Sequence, residues 1–184
     1  MQKGQDNGSS QKSKIFLGEA RGKIKLFLIA AVPIVVLDQL SKQWVRAKSP
    51  QMELLPGFLD LITVPPNPGA AFGLFANQTF LLIIVTVAAV LIILVFLHYL
   101  SPATTLSIVS IGLILGGAVG NLIDRLRFGG VTDFIDVHLQ DLFHWYTFNI
   151  ADAAITVGIF TLIYSLYRAG LFKKVYEHGH RAKN

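Results

Sequence analysis

The chain has 184 residues, 53% of them hydrophobic and only 15% charged, with a formal net charge of +5. Soluble domains carry about 25% charged residues, so this composition excludes an ordinary soluble enzyme and points to a membrane protein. The absence of cysteine excludes disulfides, thiolate catalysis, cysteine-ligated metals and a lipidated cysteine on the chain itself.

The basic residues are gathered at the ends. Lys3, Lys12, Lys14, Arg21, Lys23 and Lys25 precede the first apolar run, and Arg168, Lys173, Lys174, Arg181 and Lys183 follow the last, eleven of the sixteen in all. By the positive-inside rule both tails are cytoplasmic, which requires an even number of spans. Membrane lipid, through its anionic headgroups, is the expected partner of this charge, and nucleic acid is not.

Residues 1–25 are polar and read as a disordered cytoplasmic lead-in. The apolar run Leu26–Leu37 resembles the core of a signal peptide, but the following DQLSKQW offers no small-residue cleavage site, so it reads as a retained first span. A bilayer needs about twenty helical residues, and the span therefore extends over 26–45, through Asp38 and Lys42. At i and i+4 these two share a helix face and can pair. Two readings stay open for them: a structural ion pair at the interface, or a role in lining a site.

From 46 to 77 the character changes. Pro50, Pro56, Pro65, Pro66 and Pro68 break any helix, and LLPGFLDLITV has the short apolar runs of strands, so this segment is expected to form an extracytoplasmic β-rich loop. Within it, NPGAAFG at Asn67 to Gly73 combines an amide, a turn and small residues, a pattern that an ordinary turn also satisfies. Further spans are expected at 79–100, 104–123 and 150–167, followed by a cytoplasmic basic tail over 173–184. The fold class is then an all-α membrane protein with four transmembrane helices and a small β-rich loop domain, without a repeat or a second domain.

This topology gathers Asp124, Asp133, Asp136, Asp141 and Asp152 at the outer face. Gly116 and Gly120 have the small-xxx-small spacing of close helix packing. Asn121 and Asp124 lie on one face at i and i+3, where lipid exposure is costly, so that face turns inward. Asp152 falls in the first turn of the last span, where a carboxylate can cap the helix; Asn149 can also cap it and leave Asp152 free for another carboxyl. Two neighbouring carboxyls in a poorly hydrated site share one proton, which supplies a base for water and an acid for a leaving amine, as peptide hydrolysis by an aspartic protease requires.

Five segments, DQLSK at 38–42, NPGAAFG at 67–73, GGAVGNLIDR at 116–125, GGVTDFID at 129–136 and FNIADAAI at 148–155, resemble, in order, the motifs of the lipoprotein signal peptidase (signal peptidase II) family. The resemblance implies an aspartic endopeptidase of the bacterial inner membrane that removes the signal peptide of prolipoproteins just before a diacylglyceryl-modified cysteine. It carries the catalytic pair onto Asp133 and Asp152. Asn121, Asp124, Arg125 and Asn149 match positions that support the site, and Asp38, Lys42, Asn67, Gly69, Ala70, Ala71 and Phe72 match the motifs around it. It further implies a β-cradle formed by 46–77 on the membrane surface, inhibition by globomycin-type peptide antibiotics, and no cofactor. Thr132 stands where the family often has an apolar residue.

Three other readings compete. Acids in a membrane protein also serve as proton relays in transporters and channels, although no continuous polar path is evident. A metalloprotease would use His138 and His144, but the sequence has no HExxH and both histidines fall in a loop. The third is a structural or assembly protein without chemistry of its own.

Overall fold

The first helix, α1, runs from Asp6 to Lys48. The computed structural model describes residues 6–69, 78–99, 104–139 and 143–170. The helix takes in most of the lead-in expected to be disordered: the first proline of the chain is Pro33, and nothing between Asp6 and Lys25 forbids helical backbone. Pro33 lies inside the helix, where it removes one backbone hydrogen bond. The helix stops where Ser49 adopts a left-handed φ of 47°, because the following Pro50 disfavours helical backbone at the residue before it.

Three further helices follow: α2 at Thr79–Tyr99, α3 at Thr105–Phe128 and α4 at Ile150–Arg168. Thr104 caps α3, its hydroxyl accepting the Ser107 N–H at 3.1 Å. Gly129 ends it in the left-handed conformation, φ 73°, with its N–H bonded to the Arg125 carbonyl. The segments Gly18–Lys48, Thr105–Phe128 and Ile150–Arg168 are long and apolar enough to cross a membrane, while the apolar stretch Thr79–Val95 of α2 is shorter.

Helix α3 packs against each of the other three. Gly116 makes its contact with α1 possible, since a Cβ there would lie 2.7 Å from the Ala31 carbonyl oxygen. An apolar cluster of Phe27, Ala31, Ile108, Ile111 and Leu115 fills the half of the bundle away from the sheet. In that half the Ser165 hydroxyl lies 2.7 Å from Thr104 Oγ1 and 2.8 Å from Ser107 Oγ, pinning α4 to α3. Large apolar side chains face outward instead of being buried, with Phe80, Phe160 and Tyr167 about 70% exposed or more, as a lipid-covered surface requires.

The opposite end carries an antiparallel sheet of β1 (Gln51–Leu55), β2 (Leu59–Ile62) and β3 (Ile135–Leu139), with a two-residue β4 (Phe143–His144) added to β3. Among the described residues the β-rich loop expected over 46–77 thus supplies two of the four strands. The other half comes from the segment after α3, where Ile135-Asp136-Val137-His138-Leu139 alternates with the period of a strand. Isolated bridges pair Asn67 with Val131 and Ile135 with Phe148, so the sheet margin reaches the starts of the segments that carry Asp133 and Asp152.

Candidate active site

The C-terminal part of α1, the end of α3, the beginning of α4 and the sheet margin meet at one end of the bundle. Asn149 sets the position of α4. Its side-chain oxygen accepts the Asp152 N–H at 3.0 Å, and Asp152 Oδ2 accepts the Asn149 N–H at 3.2 Å, a reciprocal capping box. The two residues thus cap this turn together, and Asn149 does not leave Asp152 free. Asn149 caps the helix, and Asp152 completes the box with one oxygen while its Oδ1 accepts the Asn121 amide at 2.8 Å.

Asp133 follows α3 in an irregular segment and is 5% exposed. Its two oxygens meet two amides: Asn149 Nδ2 donates to Oδ1 at 2.7 Å, and Asn67 Nδ2 donates to Oδ2 at 3.1 Å. Asn67 is itself fixed, since its Oδ1 accepts the Gly69 N–H at 2.9 Å and its backbone pairs with Val131 in both directions. Burial, followed by the negative charge of Asp152, pushes the Asp133 carboxyl up to about 6; the hydrogen bonds from Asn67 and Asn149 and the charge of Lys42 oppose the shift.

Behind this pair lies a fully buried charge network. Lys42 Nζ is 2.9 Å from Asp38 Oδ2, 3.7 Å from Asp124 Oδ2 and 2.8 Å from Asn121 Oδ1. The Asn121 amide is therefore oriented: its oxygen faces the Lys42 ammonium and its nitrogen faces Asp152. Asp38 Oδ1 accepts the Ala151 N–H at 3.0 Å, so a carboxylate on α1 caps the first turn of α4. A Cβ at Gly120 would lie 2.5 Å from Asp38 Oδ2, so a larger residue there would displace the Asp38 carboxylate. Of the two readings posed for Asp38 and Lys42 the structure has the ion pair; neither residue lines the cavity, and both touch the residues beside the acids from behind.

Asp124 binds the chain before Asp133, its Oδ2 accepting the Thr132 N–H at 2.9 Å. A cavity of about 550 Å³ lies in front, with Asn67, Arg125, Asp133, Asp152, Trp145 and Phe148 in its walls. Arg125 Nη2 reaches the Gly69 carbonyl only at 3.5 Å, and its Nε is buried without a hydrogen-bond partner among the described residues.

The structure brings together Asp38, Lys42, Asn67, Gly69, Asn121, Asp124, Arg125, Asp133, Asn149 and Asp152. Ala70, Ala71, Phe72 and Asp141 lie outside the described residues. Gln39, Arg46 and Thr132 also belong to the network and were missed. Gln39 Nε2 donates to the Gly120 carbonyl at 3.0 Å and to Asp124 Oδ1 at 3.3 Å, and Arg46 Nη1 donates to Thr132 Oγ1 at 2.7 Å. A signal existed for Arg46, which lies one turn beyond Lys42 and two beyond Asp38 on the same helix face.

Asp136 is 6% exposed, so it is not a solvated acid. It stands opposite Asp60 across the β2–β3 pair, with His138 between them: Nδ1 is 3.5 Å from Asp136 Oδ2 and Nε2 is 3.9 Å from Asp60 Oδ2. Ligand atoms of the three lie within 4.8 Å of one another. Each ring nitrogen addresses a different carboxylate, which suits a bridge between strands that would otherwise oppose like charges, more than three ligands aimed at one ion.

A helical membrane protein with two buried carboxyls in the wall of a cavity, each oriented by asparagines, has the equipment of a membrane peptidase. Residues 30–168 match the family model described as signal peptidase (SPase) II, and the chain belongs to that family. The lipoprotein signal peptidase of Moorella thermoacetica is 46% identical over 76% of this chain and 91% of its own length. That of Syntrophotalea carbinolica is 39% identical over 81% and 95%. The fold is shared with a bacterial membrane enzyme solved by the in meso method at 2.3 Å, with a TM-score of 0.69 and 30% identity over 79% of this chain and 89% of that one.

Proposed function

We propose that the chain is an aspartic endopeptidase that removes the signal peptide from diacylglyceryl-modified prolipoproteins, cleaving just before the lipidated cysteine, with Asp133 and Asp152 as its catalytic pair. One observation carries the reading: both carboxyls stand in the wall of one cavity, and Asn149 ties them together by donating its side-chain amide to Asp133 and its backbone N–H to Asp152. In this mechanism the pair holds one proton. The ionised carboxyl takes a proton from water as the water attacks the scissile carbonyl, and the protonated one delivers its proton to the leaving amine. The asparagine donors hold the carboxyl oxygens in place, so little reorganisation accompanies the transfer.

In the proposed topology α2 is the fourth span, its 21 residues covering about 31 Å at the helical rise of about 1.5 Å per residue. Both termini then face the cytoplasm and the site lies near the outer face of the bacterial inner membrane. A substrate anchored by its acyl chains presents its scissile bond at that depth, and the bilayer supplies part of the positioning. Globomycin-type cyclic peptides are the expected inhibitors, occupying the same cavity.

The test is cleavage of a purified diacylglyceryl-modified prolipoprotein, read as a gel shift. Asp133→Asn and Asp152→Asn each lower turnover by at least about a hundredfold, the least expected when an acid–base group is removed. Normal cleavage by either variant removes that residue from the catalytic pair.

A further inference from the structure

Arg46 belongs to none of the motifs, yet its guanidinium holds the segment that carries Asp133 at two points. Between the end of α3 and Asp133 the chain passes through Gly129 and Gly130. Gly129 is left-handed, φ 73°, and a Cβ at Gly130 would lie 2.9 Å from the Asn67 carbonyl oxygen. Two consecutive glycines give the backbone its widest freedom, and Asp133 follows three residues after the second. Something outside the segment has to hold its direction.

Arg46 touches both flanks of this glycine pair. Before it, the guanidinium carbon lies 4.3 Å from the centre of the Phe128 ring, within cation–π range. After it, Nη1 donates to Thr132 Oγ1 at 2.7 Å and lies 3.4 Å from both oxygens of Asp124. Asp124, fully buried, in turn accepts the Thr132 N–H at 2.9 Å. The residue next to Asp133 is thus held by its backbone from α3 and by its side chain from α1. The hydroxyl needed for the second hold is present because position 132 is threonine and not an apolar residue.

We propose that Arg46 is a positioning residue for Asp133, acting through the Thr132 hydroxyl to fix the direction in which the chain leaves the Gly129–Gly130 pivot. The proposal rests on Asp133 being catalytic. Arg46 is expected to affect turnover, where carboxyl geometry matters, more than substrate capture, because it does not line the cavity. Lysine is a poor replacement, since a single ammonium cannot stack on Phe128 and reach Thr132 and Asp124 with a planar fork.

The experiment uses the full chain in detergent with a diacylglyceryl-modified prolipoprotein, comparing wild type with Arg46→Ala, Arg46→Lys, Thr132→Val and the Arg46→Ala/Thr132→Val double variant. Misplacement of a catalytic group by about 1 Å lowers turnover by about a hundredfold, so a drop in kcat of about tenfold to a hundredfold is expected for Arg46→Ala and Thr132→Val. KM should move by less than about threefold, Arg46→Lys should recover only part of the loss, and the double variant should be no worse than the poorer single one, because both break one contact. Losses that multiply in the double variant, a change confined to KM, or wild-type turnover in Thr132→Val, which preserves side-chain shape and keeps the question open to test if Arg46→Ala misfolds, would each overturn it. Full activity in Asp133→Asn would instead refute the catalytic assignment itself.

Discussion

The Asn149 side-chain nitrogen lies 2.7 Å from Asp133 Oδ1, and the same amide's oxygen caps the helix that begins beside Asp152. One residue therefore couples where α4 starts to where the first carboxyl points. Substitutions at 149 should separate the two roles. Asn149→Ser retains an acceptor for the cap but loses the amide that reaches Asp133; turnover should fall at least about tenfold while the cap's share of the stability is kept. Asn149→Ala loses the cap as well, at a further cost of about 1 kcal/mol. Equal thermal midpoints for the two variants would show that the cap contributes nothing.

The Asp133 carboxyl, pushed up to about 6 by burial and by the charge of Asp152, should show this value directly in carboxyl ¹³C NMR of the purified protein. Asp133 is protonated below that pH and ionised above it, so kcat/KM for the free enzyme falls as pH rises through this range and the shared proton leaves. The sign for stability follows. A carboxyl whose folded pKa exceeds its unfolded value favours the fold at low pH, and the contribution is lost between the ordinary carboxylate range and about 6. Asp152→Asn removes the second-largest cause and should move the Asp133 titration downward; an unchanged value would mean that the two carboxyls do not interact.

Asp38 and Lys42 are both fully buried and 2.9 Å apart. Asp38→Ala leaves the Lys42 ammonium with only the more distant Asp124, at 3.7 Å, as a counter-charge and uncaps Ala151, with an expected loss of about 3–5 kcal/mol in unfolding measurements. Asp38→Leu combined with Lys42→Met should be more stable than either single variant, since no unpaired charge remains. Activity should still be low in the double variant, because the Asn121 oxygen then loses the Lys42 ammonium that it faces at 2.8 Å. A double variant less stable than both singles would contradict the pairing.

Asp136→Asn and His138→Ala should lower the thermal midpoint, because they weaken the β2–β3 bridge, while leaving cleavage within about fivefold of wild type, as expected for groups outside the acid–base pair. Addition of a chelator should leave cleavage unchanged. A chelator-sensitive activity restored by a divalent cation would return Asp60, Asp136 and His138 to consideration as ligands.

Much of the site was legible in the chain because its acids and amides lie in short motifs with a physical pattern. Asn121 and Asp124 share a helix face, and Asn149 precedes Asp152 by the spacing of a capping box. The positions of Arg46 and Gln39 were harder to read, because their value depends on which helix packs against α1. The burial of Asp136 was hidden for a similar reason: its partner Asp60 belongs to a distant strand, and β3 was read as loop although it alternates visibly. Helical spacing repeats within one element, whereas strand pairing joins segments that composition does not connect.

The Asp38–Lys42 pair has a consequence for biogenesis. Its two charges sit four residues apart on α1, so they can neutralise each other as soon as that helix has formed. Asn121, Asp124 and Ala151, their other partners, are synthesised much later. The first helix can therefore enter the bilayer and wait with its charges already matched, and the arrival of α3 and α4 completes the network around it. The carboxyls that do the proposed chemistry come together only when α4 is in place, so the nascent chain carries no assembled hydrolytic centre until that helix has been made.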